Sequence, residues 1–267
     1  MSAEHGQEEK AGFRNPPTGP AVAAPRMPPV PPPASPIKTA RFRPSYWSIA
    51  IFVLLASGIG IRAYRDLSRP DAWDYWKDQY VSPTLTASLV AKTYLGSSDQ
   101  GRRTLMVSGT FGPAAARLFR DRLDEAGLAA GDLVLLASPG GDLNQAVIIG
   151  EIIRSRALAT AVGTADATGR VKPAYCASAC VMAYAGGKPR FGVPGSALGV
   201  HRFVTANPTS DPVADTQRVT GAVLGYMTRM GISSSIVEAM SETRDIRWLA
   251  PRDALAMNLV TDPVGKP

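Results

Sequence analysis

Between Arg43 and Arg62 the chain carries 18 consecutive residues without a charge, PSYWSIAIFVLLASGIGI. As a helix this run spans about 27 Å, the short end of a bilayer crossing. Tyr46 and Trp47 stand at one edge, where interfacial aromatics belong. The run is apolar all round, so it lacks the polar face of an ordinary surface helix. We therefore expect a single transmembrane helix over residues 44–63. It starts too far along the chain for a cleavable signal peptide, which makes an uncleaved anchor the expectation.

What flanks the anchor is not core material. Residues 1–43 include NPPTGPAVAAPRMPPVPPPASP, too rich in proline for a helix or a sheet ladder. A disordered tail with polyproline II character is expected there, as a spacer or as a dock for a proline-reading domain. Lys38, Arg41 and Arg43 precede the span, and Arg62, Arg65 and Arg69 follow it, so the count that sets orientation is nearly balanced. We expect the short tail inside and the large domain outside. Residues 64–102 are a juxtamembrane segment. Its DAWDYWKDQY either lies along the lipid headgroups or forms a surface helix.

The formal charge is +7, but it is spread out: 12 basic against 8 acidic residues in 1–102, and 17 against 14 in 103–267. No basic stripe with interleaved aromatics occurs, so nucleic acid is not an expected partner.

From Arg103 the pattern alternates. RTLMVSG reads as a strand and GPAAARLFRDRLDEAG as an amphipathic helix closed by Gly127. DLVLLASPGG is a buried strand ending in a glycine turn, DLNQAVIIGEIIRSR is a helix, and ALATAVG is another buried strand. This order predicts an α/β domain over 103–267, a mainly parallel sheet with flanking helices.

Three segments in that domain carry chemistry. In SPGG, Ser138–Gly141, a strand hands over to a helix, and glycine lets the backbone turn and present N–H groups that can hold an oxyanion. In YCASACVMAYAGG, Ser178 sits where a small helix begins. Its hydroxyl can cap that helix or act as a nucleophile, with the Ala179 N–H aimed at an oxygen bound beside it. His5 lies in the tail, which leaves His201 as the only imidazole available to a folded site. A neutral serine needs such a base to attack at neutral pH. Asp245, between two arginines in SETRDIRW, can orient the imidazole or belong to a surface ion pair. Cys176 and Cys180 are four residues apart and either bridge or pack as two small buried thiols. Two thiols and a distant histidine fall short of a metal ligand set, and no cofactor is expected. The order Ser–His–Asp, with no Gly-x-Ser-x-Gly elbow, sets the chain apart from α/β-hydrolases.

Taken together, LLASPGGDLNQAV, CASACVMAYAGGKPRFGVPGSALGVHRF and TRDIRWLAPRDALAMNLVTD resemble the proteolytic subunit of Clp-type proteases, within the Clp/crotonase superfamily. The likeness covers roughly residues 103–262. It implies a Clp/crotonase-like fold with Ser178 as nucleophile, His201 as general base and Asp245 as orienter. Oxyanion donors would come from the backbone of Gly140 or Gly141 and of Ala179. The Cys-x-Ser-x-Cys segment is similar to that of a periplasmic branch related to Clp proteases at a distance. Membrane-bound signal peptide peptidases of the superfamily use a lysine base, and no lysine stands at the His201 position. The resemblance implies a membrane-anchored serine peptidase acting on peptides or proteins and assembling as a homo-oligomer. The same fold would also serve an enzyme of CoA thioesters, or a scaffold without turnover.

Overall fold

The structure, a computed structural model, describes residues 45–69, 72–96, 101–203 and 211–265. The proline-rich tail expected over 1–43 lies outside the described residues. The chain divides into two units at Leu54 and Leu55. Of the first unit, only the start of helix α1 (Tyr46–Leu67) is described. That helix buries none of its residues and is long and apolar enough to cross a membrane. It continues four residues past the expected end because RAYRDL contains no helix breaker.

The second unit holds the rest of the elements in chain order. They are α2 (Ala72–Tyr80), β1 (Leu85–Thr93), β2 (Arg102–Gly109), α3 (Ala115–Ala126), β3 (Leu133–Ala137), α4 (Leu143–Ser155) and β4 (Ala159–Val162). A small hairpin follows, β5 (Thr164–Ala165) and β6 (Val171–Lys172), then β7 (Tyr175–Ala177), α5 (Cys180–Ala185), β8 (Arg190–Gly192) and β9 (Ala197–Val200). The chain ends with α6 (Pro212–Arg229), α7 (Ser235–Ser241), β10 (Arg247–Trp248), α8 (Pro251–Ala256) and β11 (Asp262–Pro263).

The main sheet has the order β1-β2-β3-β4-β8-β11. All its pairings are parallel except β1 with β2. This is the α/β class, a mainly parallel sheet with flanking helices, that the alternating pattern predicts. The LVLLA run of β3 is apolar throughout because both faces are covered. Val134 and Leu136 join the large core under the helices, while Leu133 and Leu135 join a smaller cluster with Ala159 and Ala161 on the other face. Strand β1 lies in the segment read from sequence as juxtamembrane, and it forms the antiparallel edge of this sheet.

Helix ends follow their capping residues. The Asp142 side chain accepts from the Gln145 N–H at 3.0 Å and opens α4. Gly127 closes α3 in the left-handed region, at φ 56°. α4 and α5 cross closely because Gly150 and Gly186 lack side chains there: a Cβ on either would collide with the other helix. The Tyr226 hydroxyl donates to the Met182 carbonyl at 2.7 Å and so occupies one of the open acceptors of α5. Arg190 is buried and donates to the carbonyls of Leu259, Gly187, Met230 and Asn258. Those bonds tie β8 to the turns around α6 and α8, and burial lowers the guanidinium's pKa from its ordinary value. Burial also pushes the neighbouring Tyr184 phenol well up.

Candidate active site

A second sheet, ordered β10-β9-β7, builds the site. β7 and β9 run parallel, with Tyr175, Cys176 and Ala177 opposite Ala197, Leu198 and Gly199. Ser178 and His201 leave the ends of these neighbouring strands on the same side. Register alone therefore brings together two residues that are 23 apart in sequence. The Ser178 N–H continues the ladder by donating to the Gly199 carbonyl at 2.9 Å. Ser138, at the end of β3, bridges Cys176: its N–H donates to Tyr175 and its carbonyl accepts from Ala177, both at 3.0 Å. The glycine turn, the serine and the histidine are thus held by one hydrogen-bonded backbone frame.

Within that frame the Ser178 Oγ lies 2.7 Å from the His201 Nε2. The other ring nitrogen, Nδ1, is 2.7 Å from the Arg202 carbonyl oxygen. A carbonyl only accepts, so Nδ1 carries the proton, and in the neutral ring Nε2 is left to accept from the Ser178 hydroxyl. Ser178 therefore does not cap the helix. The cap position of α5 belongs to Ala179, which makes no side-chain bond. Ser178 itself stands at φ 57°, a conformation uncommon for a residue with a side chain and costing about 1–3 kcal/mol. The Cys176–Cys180 disulfide spans this turn, with Cα atoms 5.3 Å apart.

The amide donors differ in availability. The Gly140 N–H already donates to the Ser138 hydroxyl at 3.0 Å. Neither Gly141 nor Ala179 has an acceptor for its N–H among the described residues. Gly140 stands at φ 106°, and a Cβ there would lie 2.7 Å from the Ala177 oxygen, 2.8 Å from the Ser178 Cβ and 3.0 Å from the Ala179 nitrogen. The SPGG turn is packed directly on the serine turn, and that contact leaves no room for a side chain.

Asp245 is exposed and is not among the hydrogen-bond partners of the His201 ring in the described residues. The β9–β10 ladder pairs only Val200 with Arg247 and Gly199 with Trp248. Beyond it the Arg202 N–H donates to the Thr243 carbonyl at 3.0 Å, and the Thr243 hydroxyl accepts from the Asp245 N–H at 3.1 Å. The place expected for Asp245 on the ring is filled by the Arg202 carbonyl. Sequence reasoning missed that acceptor, and a backbone carbonyl leaves no signal in the residue types. Among the described residues no group of three or more His, Cys, Asp or Glu gathers to hold a metal.

The arrangement can activate a hydroxyl, return its proton to a leaving group, and present amide N–H groups beside the reacting atom. No protein-family model and no curated protein matches the sequence. Among solved structures, a mutant of ClpP1 from Listeria monocytogenes is similar at a TM-score of 0.48 and 16% identity, over 61% of this chain and 91% of that one.

Proposed function

We propose that the chain is a membrane-anchored serine peptidase of the Clp/crotonase type, with Ser178 as nucleophile and His201 as general base. The observation that carries this reading is the 2.7 Å bond from the Ser178 hydroxyl to a histidine whose other nitrogen is bound by a carbonyl. In the first step the Ser178 Oγ bonds to the substrate's carbonyl carbon while its proton passes to the His201 Nε2. The oxyanion is held by the N–H groups of Gly141 and Ala179, with Gly140 shaping the turn. The tetrahedral species collapses as the C–N bond breaks and His201 gives its proton to the departing amine. Water then bonds to the acyl carbon while losing a proton to His201, and the Ser178 Oγ–C bond breaks as His201 returns that proton to Oγ, releasing the carboxylic acid. The Arg202 carbonyl orients the imidazole in this arrangement, and a part for Asp245 is open to direct test.

Residues 44–63 serve as the anchor and 1–43 as the tail; of the juxtamembrane segment expected over 64–102, the part up to β1 serves as the link, while β1 joins the sheet of the catalytic domain that runs on through 103–267. The disulfide beside the nucleophile supports placing the domain in an oxidising compartment, the periplasm of a bacterial cell. The substrate is a peptide or protein, and the working form is a homo-oligomer.

The test is peptide-bond hydrolysis by the full-length protein in detergent, read as newly formed amino groups on an unfolded protein substrate. Turnover by wild type that disappears in Ser178→Ala and His201→Ala supports the reading. Turnover that survives both substitutions overturns it.

A further inference from the structure

Helix α2 presents an aromatic stripe to solvent. Trp73, Trp76 and Tyr80 fall on one side of the helix at 3.6 residues per turn, and they are 75%, 45% and 59% exposed. Trp76 and Tyr80 stack with ring centroids 5.0 Å apart. Tryptophan is among the more buried residue types, so two exposed on one nine-residue helix call for a partner. Lys77 flanks the stripe. The opposite side is clamped: the buried Asp78 carboxylate accepts from the Thr84 N–H and hydroxyl at 2.8 and 2.7 Å, and from the Ala114 N–H at 3.0 Å. The aromatic side cannot turn inward without breaking those bonds.

Chain length puts one partner within reach. Leu67 ends α1 and Ala72 begins α2, so five Cα steps separate them, at most about 18 Å of extended chain. If α1 crosses a bilayer, the start of α2 stays within about 18 Å of the end of α1, so its aromatic side is within reach of the headgroup layer, the zone in which tryptophan and tyrosine are enriched. Arg62, Arg65 and Arg69 lie on the same stretch and favour anionic headgroups.

We infer that Trp73, Trp76 and Tyr80 lie in the headgroup layer of the bilayer and that Asp78 transmits this docking to the catalytic domain. The inference rests on α1 being the anchor. A cleft of about 510 Å³ lined by Arg69, Ala72, Tyr75, Trp76, Asp142 and Gln145 lies between α2 and the start of α4. Docking sets this cleft at the membrane surface.

The test uses the full-length protein in phosphatidylcholine–phosphatidylglycerol vesicles, with and without lipids brominated near the headgroup end of their chains. Three variants each keep one tryptophan, Trp47, Trp73 or Trp76, with the others changed to phenylalanine. Flotation with the vesicles and unchanged circular dichroism check anchoring and folding. The inference expects the Trp73 and Trp76 reporters each to lose at least half their emission to brominated lipid, as the Trp47 reporter does. Quenching of Trp47 alone overturns the docking and leaves the anchor standing. A chain that does not float with vesicles overturns both.

Discussion

Gly140 is packed on Ser178 so closely that a Cβ on the glycine would stand 2.8 Å from the serine's own Cβ. Its φ of 106° already disfavours any side chain. Gly140→Ala therefore pushes the serine turn away from His201. A displacement near 1 Å in such a site costs about 10²-fold in rate. We expect kcat/KM to fall by that order while the far-UV circular dichroism stays unchanged. Steady-state kinetics on the purified variant checks it.

The Cys176–Cys180 bridge closes a very short loop around the left-handed Ser178. On the chain-entropy account a loop of this size contributes about 2 kcal/mol. Replacing both cysteines by serine should lower the unfolding free energy by that order in urea titration. It should also slow acylation of Ser178, because the strained turn loses its brace.

With the Arg202 carbonyl on Nδ1, the carboxylate of Asp245 is not what fixes the tautomer. Asp245→Ala should keep kcat/KM within about tenfold of wild type, where loss of a ring-bound carboxylate would cost about 10⁴. A kinetic comparison of Asp245→Ala with His201→Ala separates the two.

Asp166 accepts from the Thr168 hydroxyl at 2.6 Å and from the N–H groups of Thr168 and Arg170, which holds its carboxyl below the usual carboxylate range. A depressed folded pKa means that its contribution to the β5–β6 hairpin is present above the ordinary aspartate pKa. It is lost as pH falls through the folded value. Amide exchange at Thr168 and Arg170, corrected for the intrinsic pH dependence, should therefore show less protection in acid. Asp166→Asn should flatten that pH dependence.

Much of this arrangement was legible in the residues. The unbroken apolar run of β3, the helical pattern of α4 and the apolar run of α1 are local patterns, and each appears in the structure as an element of the expected type. Ser178 and His201 were legible as a pair because His201 is the only imidazole among the described residues. What stayed hidden depends on tertiary pairing. β1 alternates weakly and sits at an edge with one side open, so its sequence LTASLVAKT gives little periodic signal. The left-handed turn at Ser178 has no glycine to announce it. It is imposed by the Ser138–Cys176 bridge, the Gly199 carbonyl and the disulfide acting together. The Arg202 carbonyl on the imidazole is a backbone group, which residue types do not encode.

The central claim is that Ser178 is a nucleophile activated by His201. It is tested most directly by treating the full-length protein with a fluorophosphonate and mapping the adduct by tandem mass spectrometry. The account predicts one modified residue, Ser178, with labelling abolished in Ser178→Ala and slowed by at least about 10²-fold in His201→Ala. An adduct on another serine, or labelling of Ser178 that is equally fast without His201, would contradict it.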